Sequence, residues 1–259
     1  MPEHAASDGW LDRFRKRHNV LFRELSGESS GVDGSVCNDW IEKLPQLLTG
    51  YELADIFNCD ETGLIFKQTP SKSLIQAGEE CSGGKKSKER LSVLLCASAT
   101  GEKLRPLVIG RAAKPQAFWQ AHLTTNQLPV TWRSNKKAWM TGFLFTEWLH
   151  SVDKLMRYQK RRILLLLDNC SAHVSVDDLQ NVKLLFLPPN TTSKIQPLDQ
   201  GIINSFKLNY RKLLLEHLID HANEVQSLSE FTKSISVLNA ILWIDRAWNL
   251  VQRGTIHKC

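Results

Sequence analysis

The chain has 259 residues, of which 42% are hydrophobic and 23% charged, a composition typical of a globular protein with a sizeable core. Its formal net charge of +6 is a modest basic excess, compatible with a polyanionic partner but weak support for one. No apolar run is long enough to cross a bilayer, which argues against a membrane protein. The six cysteines are scattered and form no CxxC pair, which argues against a zinc ribbon and a secreted disulfide scaffold and favours a reducing intracellular compartment.

The N-terminal part divides into a basic helix (residues 1–25) and a linker (residues 26–38). Trp10, Leu11 and Phe14 stand at helical spacing and are interleaved with basic side chains, which predicts a short amphipathic helix. The segment Ser26 to Ser35 is rich in glycine and serine, and we expect it to be flexible.

Residues 39–218 begin with strand-like segments. A first strand is predicted to end at Asp60, ahead of a turn at Thr62–Gly63. The apolar runs Leu91 to Ala97 and Leu104 to Ile109 predict two further strands, joined by a turn at Thr100–Gly101.

Helices and buried strands follow in alternation. Ala138 to Tyr158 has helical spacing, whereas Ile163 to Leu167 and Val182 to Leu187 are continuous apolar runs typical of strands covered on both faces. A long helix is predicted from Pro197 onward, and Leu228 to Val251 predicts another within a C-terminal helical region (residues 219–259). This order predicts an α/β protein with a mixed sheet flanked by helices.

Three acids stand at the ends of these elements: Asp60, Asp168 and Asp199. Converging carboxylates repel one another unless cations neutralise them, and hard oxygen ligands favour Mg²⁺ or Mn²⁺. Two such ions are the usual machinery of in-line phosphoryl transfer. Each acid also has an ordinary structural explanation, as a turn residue or as a residue that complements a helix dipole, and only the three together argue for a metal site.

Neighbours of these acids are candidates for supporting roles. Because side chains alternate along a strand, Glu61 is expected to face away from Asp60 and to act behind it. Asn169 is a candidate hydrogen-bond donor beside Asp168. His173 either supports the metal site or caps the next helix, and the two readings stay open.

A continuous series of motifs in this chain resembles one known family. The series includes NCDETGL, WRSNKKAWMTGFLFTEW, LLLLDNCSAH and PPNTTSKIQPLDQG. Together they resemble the DDE-superfamily endonuclease domain of Tigger/pogo-type transposases, over about Ala54 to Leu215. Residues 1–25 resemble the end of the centromere-protein-B-type helix-turn-helix module that precedes this domain. Both ends suggest a truncated or alternatively spliced form, or a fragment.

The resemblance implies a ribonuclease-H-like fold and a DNA partner. It also implies that Asp60, Asp168 and Asp199 are catalytic and hold two ions of Mg²⁺ or Mn²⁺ for DNA cleavage and strand transfer. Two alternatives stay open: a catalytically silent DNA-binding or regulatory protein, and a ribonuclease-H-like hydrolase. The resemblance also implies a nuclear location and either a homodimer or chromatin-associated partners.

Basic and aromatic side chains are candidates for nucleic-acid contact, although most such runs are solvated faces. The basic candidates are Arg13, Arg15, Lys16, Arg17, Lys85, Lys86, Lys88, Arg90, Arg133, Lys136 and Lys137. The aromatic candidates for stacking on extruded bases are Trp119, Trp132, Trp139 and Trp148, of which Trp148 is expected in the core instead.

Overall fold

The structure, a computed structural model, describes residues 34–68, 87–221 and 227–259. The basic helix of residues 1–25, most of the linker and Lys85 and Lys86 lie outside the described residues, as do Arg13, Arg15, Lys16 and Arg17. The described residues belong to one compact unit.

Within the described residues, one mixed sheet has the strand order β4-β3-β2-β1-β5-β6. The strands are β1 Ile56–Ile65, β2 Arg90–Ser98, β3 Leu107–Gly110, β4 Thr131–Ser134, β5 Ile163–Leu167 and β6 Val182–Phe186. Strand β2 is antiparallel to β1 and β3, whereas the pairs β1–β5, β5–β6 and β3–β4 are parallel. The predicted mixed α/β architecture is confirmed, although the sequence did not predict β4.

Helices cover both faces of the sheet. They are α1 Gly34–Leu47, α2 Gln116–Gln120, α3 Gly142–Tyr158, α4 Thr192–Ile195, α5 Ile202–Asp220, α6 Leu228–Ser234, α7 Val237–Leu250 and α8 Arg253–His257. Helix α3 packs on the face that carries Phe57 and Cys59, whereas α5 and α7 pack on the face that carries Leu64. The two-residue period of β1 thus divides the core between the two layers.

The first strand is longer than its sequence suggests. Strand β1 runs through Thr62–Gly63, where a turn was predicted, because Gly63 pairs with Ser92 of β2. Asp60 therefore lies in the middle of this strand and not at its end. Helix α3 begins at Gly142, since the Thr141 hydroxyl caps it by accepting the Leu144 N–H, and the predicted start at 138 is wrong.

The segment around Asp199 also differs from the prediction. A 3₁₀ turn covers Pro197–Gln200, Gly201 follows with φ 145°, and α5 begins only at Ile202. The predicted apolar stripe of α5, including Phe206 and Tyr210, is buried as expected. Asp199, by contrast, is exposed on the turn, so the prediction that it lies on that stripe is wrong.

The C-terminal helices complete the core. The predicted helix 228–251 breaks before α7, whose N-terminus is capped by Ser236. Trp248 of α7 lies edge-on to Phe206 with ring centroids 6.5 Å apart and donates its indole N–H to the Leu104 carbonyl at 3.0 Å. The region 219–259 therefore shares a hydrophobic core with α5 and the sheet. Among the described residues, no helix is both long and apolar enough to traverse a bilayer.

Candidate active site

Strand pairing brings the first two acids together. Strands β1 and β5 are parallel, with Asn58 opposite Leu166. Asp60 follows Asn58 by two residues, and Asp168 follows Leu166 by two residues, directly after the end of β5. The carboxyl ends of parallel strands are the usual place for a ligand site in an α/β sheet. The continuous apolar run of β5 thus ends where Asp168 emerges beside Asp60.

Asn58 fixes the third acid against the strand. Its buried side chain donates to the Leu166 carbonyl at 3.0 Å and accepts the backbone N–H of Leu198 at 3.0 Å. This second bond holds the Pro197–Gln200 turn on β1 and places Asp199 close to Asp60. Sequence reasoning missed this role, because an asparagine two residues before an acid carries no recognisable spacing signal.

The environment of Asp60 is unfavourable for a lone carboxylate. Asp60 is 8% exposed, and burial, followed by repulsion from Asp199 and Glu61, raises its pKa from 3.8 to about 8. Fully buried Gln196 lies near enough to lower that pKa slightly, yet its amide Oε1 and Nε2 make no hydrogen bond of normal geometry. A divalent cation beside Asp60 would relieve the repulsion and give the Gln196 carbonyl a partner.

Asp168 is tied to His173 and Glu61 in a buried network. His173 Nδ1 is 2.6 Å from Asp168 Oδ1, and His173 Nε2 is 3.0 Å from both carboxylate oxygens of Glu61. Burial lowers the pKa of His173, but the hydrogen bonds to Asp168 and Glu61 outweigh burial and raise it to about 10. His173 is therefore an imidazolium that donates to a carboxylate on each side.

This network bears on the two interpretations of His173, namely support of the acid site and capping of the next helix. The side chain caps no described helix, and it packs against Phe145 with ring centroids 4.4 Å apart. Burial raises the pKa of Asp168, but the His173 hydrogen bond outweighs that effect and keeps the pKa below its usual value. Glu61 reaches His173 on the face of β1 opposite Asp60, as strand alternation predicts.

Asn169 supports the loop that follows Asp168. Its side-chain amide donates to the Leu187 carbonyl just beyond β6, and the Cys170 N–H donates to Asp168 Oδ1 at 3.1 Å. These bonds fix the chain where it leaves β5. Asn169 thus positions the backbone next to Asp168. Among the described residues, its side chain is not seen to bond to the Asp168 carboxylate.

Basic side chains of α5 and β2 stand beside the acids. Lys207 is half-buried, and burial, followed by repulsion from Arg211, lowers its pKa, whereas Asp199 and Asp60 raise it. Arg90 also lies within electrostatic range of Lys207. Lys207 and Arg211 were not predicted from the sequence, although their spacing of four residues places them on one face of α5.

The predicted basic side chains that the structure describes divide into exposed residues and one residue held in an ion pair. Lys88, Arg90, Lys136 and Lys137 are exposed. Arg133 instead forms a two-pronged ion pair with Glu147, at 2.8 and 2.6 Å, which occupies its guanidinium. Among these residues, Arg90 is the one whose charge affects Lys207 beside the acids.

The donor chemistry of the site fits a hard divalent cation. Asp60, Asp168, Asp199 and the Gln196 carbonyl offer oxygen ligands of the kind that Mg²⁺ and Mn²⁺ prefer. In the part of the chain that the structure describes, no three Asp, Glu, His or Cys side chains converge at liganding distance of one point. Asp60 is thus repelled by Asp199 and Asp168, and in this structure the three acids do not meet at one ion position.

Comparison with known sequences places the chain in a family. Residues 88–259 match the DDE superfamily endonuclease family. The chain is 35% identical to "Tigger transposable element-derived protein 4" of Mus musculus over 97% of its own length and 48% of that protein's. It is 35% identical to "CENP-B homolog protein 2" of Schizosaccharomyces pombe, over all of this chain and 51% of that protein, so it spans about half the length of these relatives.

Comparison with solved structures agrees on the fold. The crystal structure of the Mos1 mariner paired end complex with Mn superposes with a TM-score of 0.51 and 13% identity, over 94% of this chain and 69% of that chain. The predicted ribonuclease-H-like fold is thereby confirmed. Asp60 and Asp168 lie where the parallel pairing of β1 with β5 ends, and Asp199 lies on the turn before α5. The chain therefore belongs to the DDE superfamily endonuclease family and is similar to Tigger transposable element-derived and CENP-B homologue proteins.

Proposed function

We propose that this domain binds DNA and holds two divalent ions, Mg²⁺ or Mn²⁺, for cleavage and transfer of a DNA strand. Asp60, Asp168 and Asp199 are the residues assigned to the ions. When bound, two such ions activate the attacking oxygen and stabilise the departing one in an in-line phosphoryl transfer. The observation that carries this proposal is the buried Asp60 carboxyl, which faces Asp199 beside the unpartnered amide of Gln196.

The remaining side chains have supporting roles in this proposal. His173 holds Asp168 from behind and balances the charge of Glu61, so that neither acid needs a metal ion to stay ionised. Lys207 and Arg211 are assigned to the phosphate backbone of the DNA, because cations beside an acidic centre attract a polyanion without displacing bound metal.

Metal binding and nicking provide the test. Supercoiled plasmid is incubated with Mn²⁺ and either the wild-type protein, Asp168→Asn or the control Asp177→Asn, whose side chain is exposed. We expect nicking by the wild type and the control and none by Asp168→Asn. Binding of the plasmid without nicking, by all three proteins, would support a catalytically silent DNA-binding protein. Cleavage of an RNA–DNA hybrid in preference to duplex DNA would favour the hydrolase.

The position of the protein in the cell follows from the same proposal. A DNA-binding domain similar to "Major centromere autoantigen B" of Homo sapiens, with 32% identity over all of this chain and 45% of that protein, is expected in the nucleus. DNA binding by residues 34–259 is expected to be weak, indifferent to sequence and steeply dependent on salt, because it rests on phosphate contacts. Imaging of a fluorescent fusion tests the nuclear location, and DNA titrations at two salt concentrations test the salt dependence of binding. Chromatin-associated partners and a homodimer stay predictions from the sequence.

A further inference from the structure

A short loop between β4 and α3 is held in one conformation by a single asparagine. Asn135 Oδ1 accepts the backbone N–H groups of Lys137 and Trp139, at 3.1 and 3.2 Å. Its Nδ2 donates to the Trp139 carbonyl at 2.6 Å, and its backbone carbonyl accepts the Ala138 N–H at 3.0 Å. Four hydrogen bonds thus fix the backbone on which Trp139 stands.

The same loop carries a strained residue. Ala138 has φ 52°, in the left-handed region that is uncommon for a residue with a side chain, and it is 1% exposed. Its carbonyl accepts a 2.6 Å hydrogen bond from the buried Ser92 hydroxyl of β2. Such strain persists only where the surroundings enforce it, and it concentrates at functional sites.

The tryptophan that this loop presents is exposed and flanked by cations. Trp139 is 53% exposed, with the Arg90 guanidinium 5.6 Å and the Lys137 ammonium 5.8 Å from its ring. By contrast, two other candidate stacking residues are buried in the core, Trp132 at 3% and Trp148 at 6%. An aromatic ring between cations, on a rigid backbone, combines the two elements of a single-stranded nucleic-acid site.

Arg90 links this ring to the acid site. A Cβ atom at Gly63 would stand 2.6 Å from Arg90 Nε, so the absence of a side chain at position 63 lets the guanidinium lie against β1. Gly63 lies two residues from Glu61 on the same face of β1, the face opposite Asp60, and Glu61 contacts His173, which holds Asp168. The ring and the guanidinium therefore lie on the face of the sheet that carries the network of Glu61, His173 and Asp168.

We propose that Trp139 is a stacking platform for an unpaired DNA base beside the acid site, with Arg90 and Lys137 holding the flanking phosphates. The inference rests on the proposed DNA-binding function and adds to it a preference for locally unpaired DNA. A single exposed tryptophan is common on protein surfaces. The enforced loop, the strained Ala138 and the two flanking cations distinguish this one.

Fluorescence anisotropy with three labelled probes tests the platform. The probes are a blunt duplex, the same duplex with a three-nucleotide single-stranded overhang, and that overhang with abasic sugars. We expect the wild type to bind the normal overhang about tenfold more tightly than the abasic one, as one stacked base contributes. Trp139→Leu is expected to lose this difference, and Trp139→Phe to keep most of it.

Tyr158→Leu is the matched control, since this aromatic side chain is 87% exposed at the far end of α3. A thermal melt of each variant verifies folding. Equal binding of normal and abasic overhangs by the wild type, or an equal loss in Tyr158→Leu, would overturn the platform while leaving DNA binding intact. A wild-type protein that binds none of the three probes would overturn the proposed function as well.

Discussion

Replacing Asp60 by asparagine should stabilise the metal-free protein. Asp60 is buried beside Asp199, and its pKa rises from 3.8 to about 8 on folding. At pH 7 the unfolded chain has released a proton that the folded chain retains, and roughly three pKa units at 1.36 kcal/mol each destabilise the fold by about 4 kcal/mol. Asparagine carries no charge at any pH and can still accept the Glu61 N–H, which reaches Asp60 Oδ1 at 2.8 Å.

The sign of the pH dependence follows from proton binding. Between pH 4 and pH 8 the folded wild type binds more protons at Asp60 than the unfolded chain does, so its stability falls as pH rises. The advantage of Asp60→Asn should therefore be near zero at about pH 4 and largest near pH 8. If asparagine recovers about half of the 4 kcal/mol, the melting temperature rises by roughly 4–8 °C at pH 7, given the size of this chain.

The assay is thermal unfolding in EDTA across this pH range, with Asp177→Asn as the exposed control. Added Mn²⁺ should stabilise the wild type but not Asp60→Asn, since an ion at 100 times its Kd contributes about 2.7 kcal/mol. An Asp60→Asn protein that melts at or below the wild-type temperature at pH 8 would refute the reasoning. So would a difference that does not change with pH.

Three further substitutions test the surrounding structure. His173→Gln should destabilise the protein by about 2 kcal/mol below pH 6.5, since it leaves two partly buried carboxylates without their cation. Urea unfolding at several pH values should show this deficit shrinking toward pH 10, where the wild-type imidazolium is lost. Asp153→Ala should cost about 3 kcal/mol in urea unfolding, because three backbone N–H groups before and at the start of β6 lose their acceptor; full stability would contradict this. Gly63→Ala should displace the Arg90 guanidinium and weaken DNA binding by about threefold without a large change in melting temperature, which anisotropy and a thermal melt would measure, with unchanged affinity as the contrary result.

Much of the fold follows from local pattern. The apolar run of β5 is buried at all five positions because both faces of the sheet are covered. The ends of strands and helices were harder to predict. Thr62–Gly63 has the composition of a turn, and pairing with β2 holds it extended. The start of α5 was misplaced for a similar reason, because the Pro197–Gln200 turn depends on its bond to Asn58, a residue 140 positions away.

The sequence by itself determined the mixed sheet and the family, because these depend on the order of apolar runs and motifs along the chain, and it predicted the three acids. Only the tertiary structure decided how the acids are supported. His173 bridges Asp168 to a glutamate 112 residues away, and Gln196 is left unpartnered beside Asp60. Charge compensation and burial depend on distances across the sheet, and such distances are set by packing and not by spacing along the chain.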